Sequence, residues 1–206
     1  LILLYERNFD ENKVNIVWLK RATARMYAKN CSNSELFVQL VEAMYGIEPS
    51  ADSAYYLGSL NDKKGKDEQA VAYWEESLDL ETDPYKKAKI LYKIALKFKE
   101  KGRKTTARSY ARKALSFQPS LGKAYLMIAN LYANSANNCG KSQFEKRAVY
   151  WLAANTARKA ANVDASIKKS ALKSVAAFNG RAPSKTDIFT DGMEGKVIQF
   201  SCWICC

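Results

Sequence analysis

The sequence predicts an all-α fold of helical hairpins laid side by side, and three observations carry that prediction. Residue pairs with a small member, Thr23-Ala24, Leu57-Gly58, Ile94-Ala95 and Ile128-Ala129, recur at intervals of 34, 37 and 34 residues. Pro49, Pro84 and Pro119 keep step with them, as suits a residue that lacks the N–H needed to continue a helix. Apolar residues such as Leu91, Ile94, Ala95 and Phe98 fall at i, i+3, i+4 and i+7, the spacing of one buried helical face. Small side chains at a crossing let antiparallel helices approach closely, and self-similarity at this period marks a repeat array.

Residues 1–16 open LILLYERNFD, with no initiating Met and no basic stretch before the apolar run. They read as the end of a preceding repeat or a linker, the interior of a longer chain. The array itself is expected over 17–166 as about four repeats. The first copy is the faintest: Lys20, Thr23-Ala24 and Tyr27, then Leu36, Leu40 and Ala43-Met44. In the second, Leu57-Gly58 is followed by Gly65, Ala70, Trp74 and Ser77-Leu78. In the third, Ile94-Ala95 is followed by Gly102, Ala107, Ala111 and Ala114-Leu115. Gly65 and Gly102 suit the left-handed residue that ends a first helix. The fourth copy carries Tyr125, Ile128-Ala129 and Tyr132, and resumes only at Ala153, Ala157 and Ala160-Ala161. The surplus falls at 133–146, where ANSANNCG reads as an inserted loop and FEKRAVYWLAANTARKA as a second helix lengthened at its start. Residues 167–182 supply an amphipathic helix suited to capping the last repeat. Over 183–206 the helical period breaks, and KVIQFSCWICC is rich in strand-formers. This tail is expected to be extended, as one β strand or a small hairpin.

Hydrophobic content of 48% and charged content of 26% match a globular protein, and no window approaches 18 consecutive apolar residues. Histidine is absent, which removes Ser-His-Asp and Cys-His catalysis and His-ligated zinc. Neither GxxxxGK[ST] nor GxGxxG occurs. The expectation is therefore no enzyme, no cofactor and no metal; Cys202-x2-Cys205 has zinc-ribbon spacing but no second such pair. The net charge of +12 is concentrated: between Tyr85 and Leu115 twelve Lys or Arg face Glu100 alone. Lys89, Lys93, Lys97 and Lys101 step by four along one expected solvent stripe, and like charges so placed repel mildly. The basic face is assigned Lys93, Lys97, Lys101, Arg108 and Arg112. It reads either as a solvated surface or as a patch that steers acidic partners.

The 34-residue pattern resembles the tetratricopeptide repeat (TPR), with its W-x2-L-G-x2-Y, A-x3-F and final Pro. The resemblance implies a TPR-type solenoid whose first helices line a partner-binding groove. Carried over by register, that lining comprises Trp18, Arg21, Arg25, Tyr55, Ser59, Lys89, Tyr92, Lys99, Lys123 and Asn130. Arg21 and Arg25 stand where arrays that grip chaperone tails have Lys and Asn, so chaperone-tail binding is not expected.

Within 110–204, the run GKAYLMIANLYANSANNCG, the helix FEKRAVYWLAA and the final CWI are similar to the C-terminal part of Bacteroidetes-type envelope TPR proteins. That resemblance implies a scaffold in a membrane-associated assembly, periplasmic and outer-membrane-associated. Its partners would be other proteins, with acidic segments or anionic envelope polymers as targets and nucleic acid not expected. An oxidising envelope would permit a disulfide, for which Cys139 and Cys202 are the preferred pair; free thiols are the alternative. The alternative reading is a cytoplasmic adaptor that binds acidic proteins or RNA through 85–115. Replacing Ala107 with Leu is expected to overpack a helix crossing by about 1–3 kcal/mol, read as a lowered melting temperature.

Overall fold

The computed structural model describes residues 1–200 and 202–205, and these residues form helices and connecting loops. The chain divides into two compact units, Leu1–Ile90 and the residues from Leu91 onward.

The first unit contains α1 (Ile2–Asn12), α2 (Ile16–Ala28), α3 (Glu35–Ile47), α4 (Ala51–Lys63), α5 (Asp67–Leu80) and the beginning of α6 (Pro84–Glu100). Local chemistry sets most of the starts. Asn15 accepts from the N–H groups of Val17 and Trp18, and Ser34 from that of Phe37. Ser50 and Ser53 cap α4 reciprocally. Ahead of α6, the Asp83 carboxylate accepts from the Tyr85 N–H at 2.7 Å, with Pro84 at the first helical position, where no N–H is needed. The ends are equally local. Gly65 and Gly102 both have φ of 71°, and Lys66 and Arg103 just after them donate back to Asn61 and Phe98 at 2.9 Å. This left-handed closure satisfies carbonyls that the helix would otherwise leave unpaired. After α2, Asn30 takes the same role with φ of 57°.

Two hairpins, α2 with α3 and α4 with α5, enclose a core of Leu19, Ala22, Met26, Phe37, Leu40, Val41, Met44 and Leu57. In the second hairpin, a Cβ at Gly58 would meet the Trp74 ring and approach the Ala70 carbonyl oxygen to 3.0 Å. Hydrogen at that position is what lets Trp74 lie fully buried in the crossing. The first copy departs from the expected register by one residue. Ala22 and Thr23 are buried and Ala24 faces solvent, so the packed pair there is not Thr23-Ala24.

The second unit holds the remainder of α6, then α7 (Lys104–Phe117), α8 (Gly122–Ala133), α9 (Gln143–Val163) and α10 (Lys168–Asn179), with the short α11 (Lys185–Thr190). The 21-residue α9 packs α8 on one side and α10 on the other. Its start is fixed by a capping box between Ser142 and Glu145. Ala111, Ala124, Ala129, Ala153, Ala154 and Ala157 fill the contact layers among Met127, Ile128, Val149 and Phe178. Residues 134–142, where the repeat spacing widens, form a loop with one 3-10 turn, Ala136–Asn138.

The expected C-terminal β tail is not found: no strand occurs among the described residues. Two features explain the difference. Ser184 and Asp187 make a capping box that starts α11, and Asp187 also pairs with Arg147 at 3.1 Å. The strand-formers from Lys196 to Phe200 have no second strand to pair with, and an isolated strand or hairpin is at best marginal in water. Trp203–Cys205 is a 3-10 turn, and Ser201 and Cys206 lie outside the described residues. Gly58→Ala is expected to destabilise the first unit by about 1–3 kcal/mol through overpacking against Trp74, whereas Gly46→Ala, with open space around it, leaves the melting temperature unchanged or slightly raised.

Candidate partner-binding site

In the first unit the ends and flanks of α2, α4, α5 and α6 converge on a pocket of about 230 Å3. Its aromatic wall is Tyr27, Tyr55 and Tyr56. The Tyr27 and Tyr56 rings lie 4.9 Å apart, and the Tyr27 and Tyr55 rings 6.0 Å apart, edge to face. The hydroxyls of Tyr27 and Tyr55 are within 3.4 Å of each other. Burial, helped by the hydrogen bond to Tyr27, pushes the Tyr55 phenol well above its ordinary value. Burial also pushes Tyr56 up to about 12, with the Asp52 carboxylate adding to the effect. Both phenols thus stay neutral and available as hydrogen-bond donors.

The opposite wall is ionic. Glu81, at the end of α5, is buried and accepts from the N–H groups of Thr82 and Asp83. Lys86 reaches Asp52 at 3.5 Å and Glu81 at 3.6 Å. Burial opposes the charge on Lys86, but the Asp52 and Glu81 carboxylates outweigh it and leave the ammonium pKa raised. Lys86 is thus paired with both carboxylates at the pocket, while Lys89 on the rim is exposed. Ala51 and Ser77 form the floor, where Ser77 Oγ donates to the Ala51 carbonyl at 2.7 Å. The arrangement can take one partner side chain with an apolar or aromatic body and a polar tip.

The groove residues expected from sequence do not share one site. Tyr55 and Lys89 belong to the pocket. Trp18 is half-buried with its ring edge-on to Tyr5 at 5.6 Å. Arg21 and Arg25 project from α2 into solvent. Ser59 is buried and its hydroxyl bonds back to the Tyr55 carbonyl at 3.0 Å, so it faces no partner. Tyr92 and Asn130, in the second unit, are half-buried, while Lys99 and Lys123 there are exposed. Burial raises the Tyr92 phenol as well. The sequence reading missed Tyr27, Asp52, Tyr56, Glu81 and Lys86. Tyr27 reads in sequence as a repeat position, and the adjacent Tyr55-Tyr56 and the Asp52/Lys86 charges are the signals present.

The basic face is less exposed than the stripe implied. Lys101 and Arg112 face solvent, but Lys93 and Lys97 are half-buried, and Lys97 pairs with Glu100 at 3.0 Å. Arg108 does not belong to that face, being only 4% exposed. Its Nη1 donates to the Ile204 carbonyl at 2.7 Å and its guanidinium lies 4.9 Å from the centre of the Trp203 ring. Cys139, in the loop after α8, is joined by a disulfide to Cys202 in the tail, across 5.2 Å between Cα atoms. Cys31 is a free, half-buried thiol, and of the terminal Cys205-Cys206 pair Cys206 lies outside the described residues. No group of three or more candidate metal ligands occurs among the described residues.

No protein-family model matches the chain. Solved structures with the same architecture include MamA, at TM-score 0.60 and 20% identity over 79% of this chain and 80% of that one. YrrB, described as a TPR protein with an unusual peptide-binding site, superposes at TM-score 0.53 and 13% identity over 92% of this chain and 97% of that one. The chain has the tetratricopeptide-repeat fold. Among curated proteins, the photosystem I assembly protein Ycf3 of Cyanophora paradoxa is 30% identical over 107 residues, 48% of this chain. The chain spans 62% of the length of that relative. A TPR fold implies protein partners. No helix among the described residues is long and apolar enough to cross a membrane.

The tyrosine environments have a pH consequence. A phenol whose folded pKa exceeds its unfolded value near 10 holds its proton more tightly in the native state. Its contribution to stability is complete below about pH 10 and is lost as pH rises toward 12 and beyond. Tyr45 behaves alike, since its hydrogen bond to Glu76 at 2.8 Å, with burial, pushes it up to about 12. Ultraviolet titration of the phenolates is expected to show a late-ionising group that shrinks in Tyr55→Phe and Tyr56→Phe.

Proposed function

We propose that this chain is a non-enzymatic protein–protein interaction scaffold that captures a partner segment at the Tyr27–Tyr55–Tyr56 pocket of its first unit. The observation that carries the proposal is the pocket itself. Three aromatic rings and the Asp52–Lys86–Glu81 ion cluster line it between elements of a fold that implies protein partners. The inserted group is an apolar or aromatic side chain, and the exposed Lys89 on the rim favours an acidic residue flanking it. TPR scaffolds are generally non-enzymatic, in keeping with a sequence that lacks histidine.

The scaffold is assigned to a larger assembly in the bacterial cell envelope, periplasmic and associated with the outer membrane. The Cys139–Cys202 disulfide supports that placement, because such bonds persist in oxidising compartments. The name of the Ycf3 relative, an assembly protein, supports a role in bringing subunits together. The half-buried Lys93 and Lys97 and the buried Arg108 favour this over an RNA-binding adaptor, which would present those charges to phosphate.

The test is capture of partners from the native host by the wild-type chain, by Ala51→Trp, which fills the pocket from its floor, and by Tyr55→Ala, which removes one wall. Both substitutions are expected to lower the yield of the captured partner about tenfold or more, a loss of at least about 1.4 kcal/mol of binding, with the helical circular dichroism retained. Equal capture by Ala51→Trp and wild type would remove the pocket from the interaction.

A further inference from the structure

The C-terminal tail covers a charged group on the second unit. Arg108 rises from α7 and is almost wholly buried, with the Ile204 carbonyl and the Trp203 ring among its partners. The Trp203 indole N–H donates to Ser135 Oγ at 3.2 Å, and its ring lies 5.8 Å from that of Tyr132. Ser135 is itself buried, and its Oγ also receives the Lys104 ammonium at 3.0 Å. Ile204 packs into the core of the unit beside Cys139. Immediately before Trp203, Cys202 is bonded to Cys139. Residues 196–200, which lead into this anchor, have no regular structure.

We propose that Arg108, Tyr132 and Ser135 form a redox-gated docking site for a peptide carrying Trp followed by an aliphatic residue. Its resident occupant is the chain's own Trp203-Ile204, locked in place by the Cys139–Cys202 bond. Burying a guanidinium is costly, and the carbonyl hydrogen bond and the indole face offset that cost. A contact balanced in this way needs no covalent tie to form, yet it needs one to be permanent. Without the bond, the tethered tail competes at an effective concentration of roughly millimolar, so the site exchanges between closed and open and becomes accessible to the same segment supplied in trans.

The opening chemistry is thiol–disulfide exchange. Cys139 is fully buried and Cys202 half-buried, so the thiolate of a dithiol reductant attacks Cys202 Sγ and the Cys139 thiolate leaves. The second thiol of the reductant then attacks the mixed disulfide and releases Cys202. Two electrons pass from the dithiol, which becomes a disulfide, and its two protons end on Cys139 and Cys202.

The test compares the full-length chain without reductant, the same chain in dithiothreitol, and Cys139→Ser/Cys202→Ser without reductant, which isolates this bond from the other cysteines. Hydrogen exchange at the Trp203 and Ile204 amides, in the 3-10 turn held against Arg108, is expected to rise about tenfold or more in the last two, with α9 still protected. A labelled peptide KVIQFSSWI, the 196–204 segment with Ser in place of Cys202, is expected to bind the two opened forms and not the oxidised chain, and to lose binding when its Trp is replaced by Ala. Unchanged tail exchange on reduction overturns the latch. Simultaneous loss of α9 protection in both opened forms also overturns it, because the bond would then be a staple of the fold. A peptide that fails to bind the opened forms, or binds the oxidised chain equally, overturns the docking site.

Discussion

The first unit depends on a single close approach, that of the α4 backbone at Gly58 to the Trp74 ring on α5. Protein interiors are packed as densely as organic crystals, so a large indole can be fully buried in a hairpin only where the facing helix supplies no side chain. That constraint sets the distance and register of α4 against α5, and the site inherits both. Ser77, one turn beyond Trp74, reaches the Ala51 carbonyl at 2.7 Å, and Glu81 at the end of the same helix comes to lie near Asp52, close enough for Lys86 to reach both carboxylates. The Tyr55-Tyr56 pair, one turn along α4 from Asp52, lines the same pocket. The pocket follows largely from the hairpin geometry: α4 brings two phenols and Asp52, the end of α5 brings Glu81, the start of α6 brings Lys86, and α2 adds Tyr27.

The second unit solves a different problem. Its longest helix, α9, has neighbours on both sides, and the layers between them are filled largely by alanine. Alanine layers allow close contact but bury little apolar area per residue, so a further tie is valuable. Arg147 supplies one, donating to the Arg181 and Ala182 carbonyls while pairing with Asp187 on α11. The Cys139–Cys202 bond, 63 residues apart in sequence, ties the tail to the loop after α8 and not to α9.

The basic segment shows how far charge can be redistributed by packing. Twelve cations against one acid over 85–115 read, by helical phase, as one solvent-facing basic face. In the structure they divide: Lys86 bridges Asp52 and Glu81 in the first unit, Lys97 pairs with Glu100, and Arg108 is enclosed by the tail. Lys101 and Arg112 keep the solvent-facing role. Long side chains can lie along apolar surface and carry their charge to wherever a partner stands, and no reading of helical phase alone locates that partner.

What the residues alone determined is the helical architecture, because its signals are local. Periodicity, Ser and Asp caps, left-handed Gly65 and Gly102, and small residues at a crossing all act within a turn or a hairpin. Even there, the faint first copy slipped by one residue, since Thr23 is flanked by an alanine on each side and either could have been buried with it. The tail misled for the complementary reason: its strand-formers express a preference that is realised only beside another strand. Only the tertiary structure decided that Trp203 would rest on Arg108, that Ser59 would turn inward, and that Tyr27 would meet Tyr55 and Tyr56. Each of these joins residues whose meeting is set by helix packing and by the path of a loop, quantities that depend on the whole fold and leave no periodic trace in the chain.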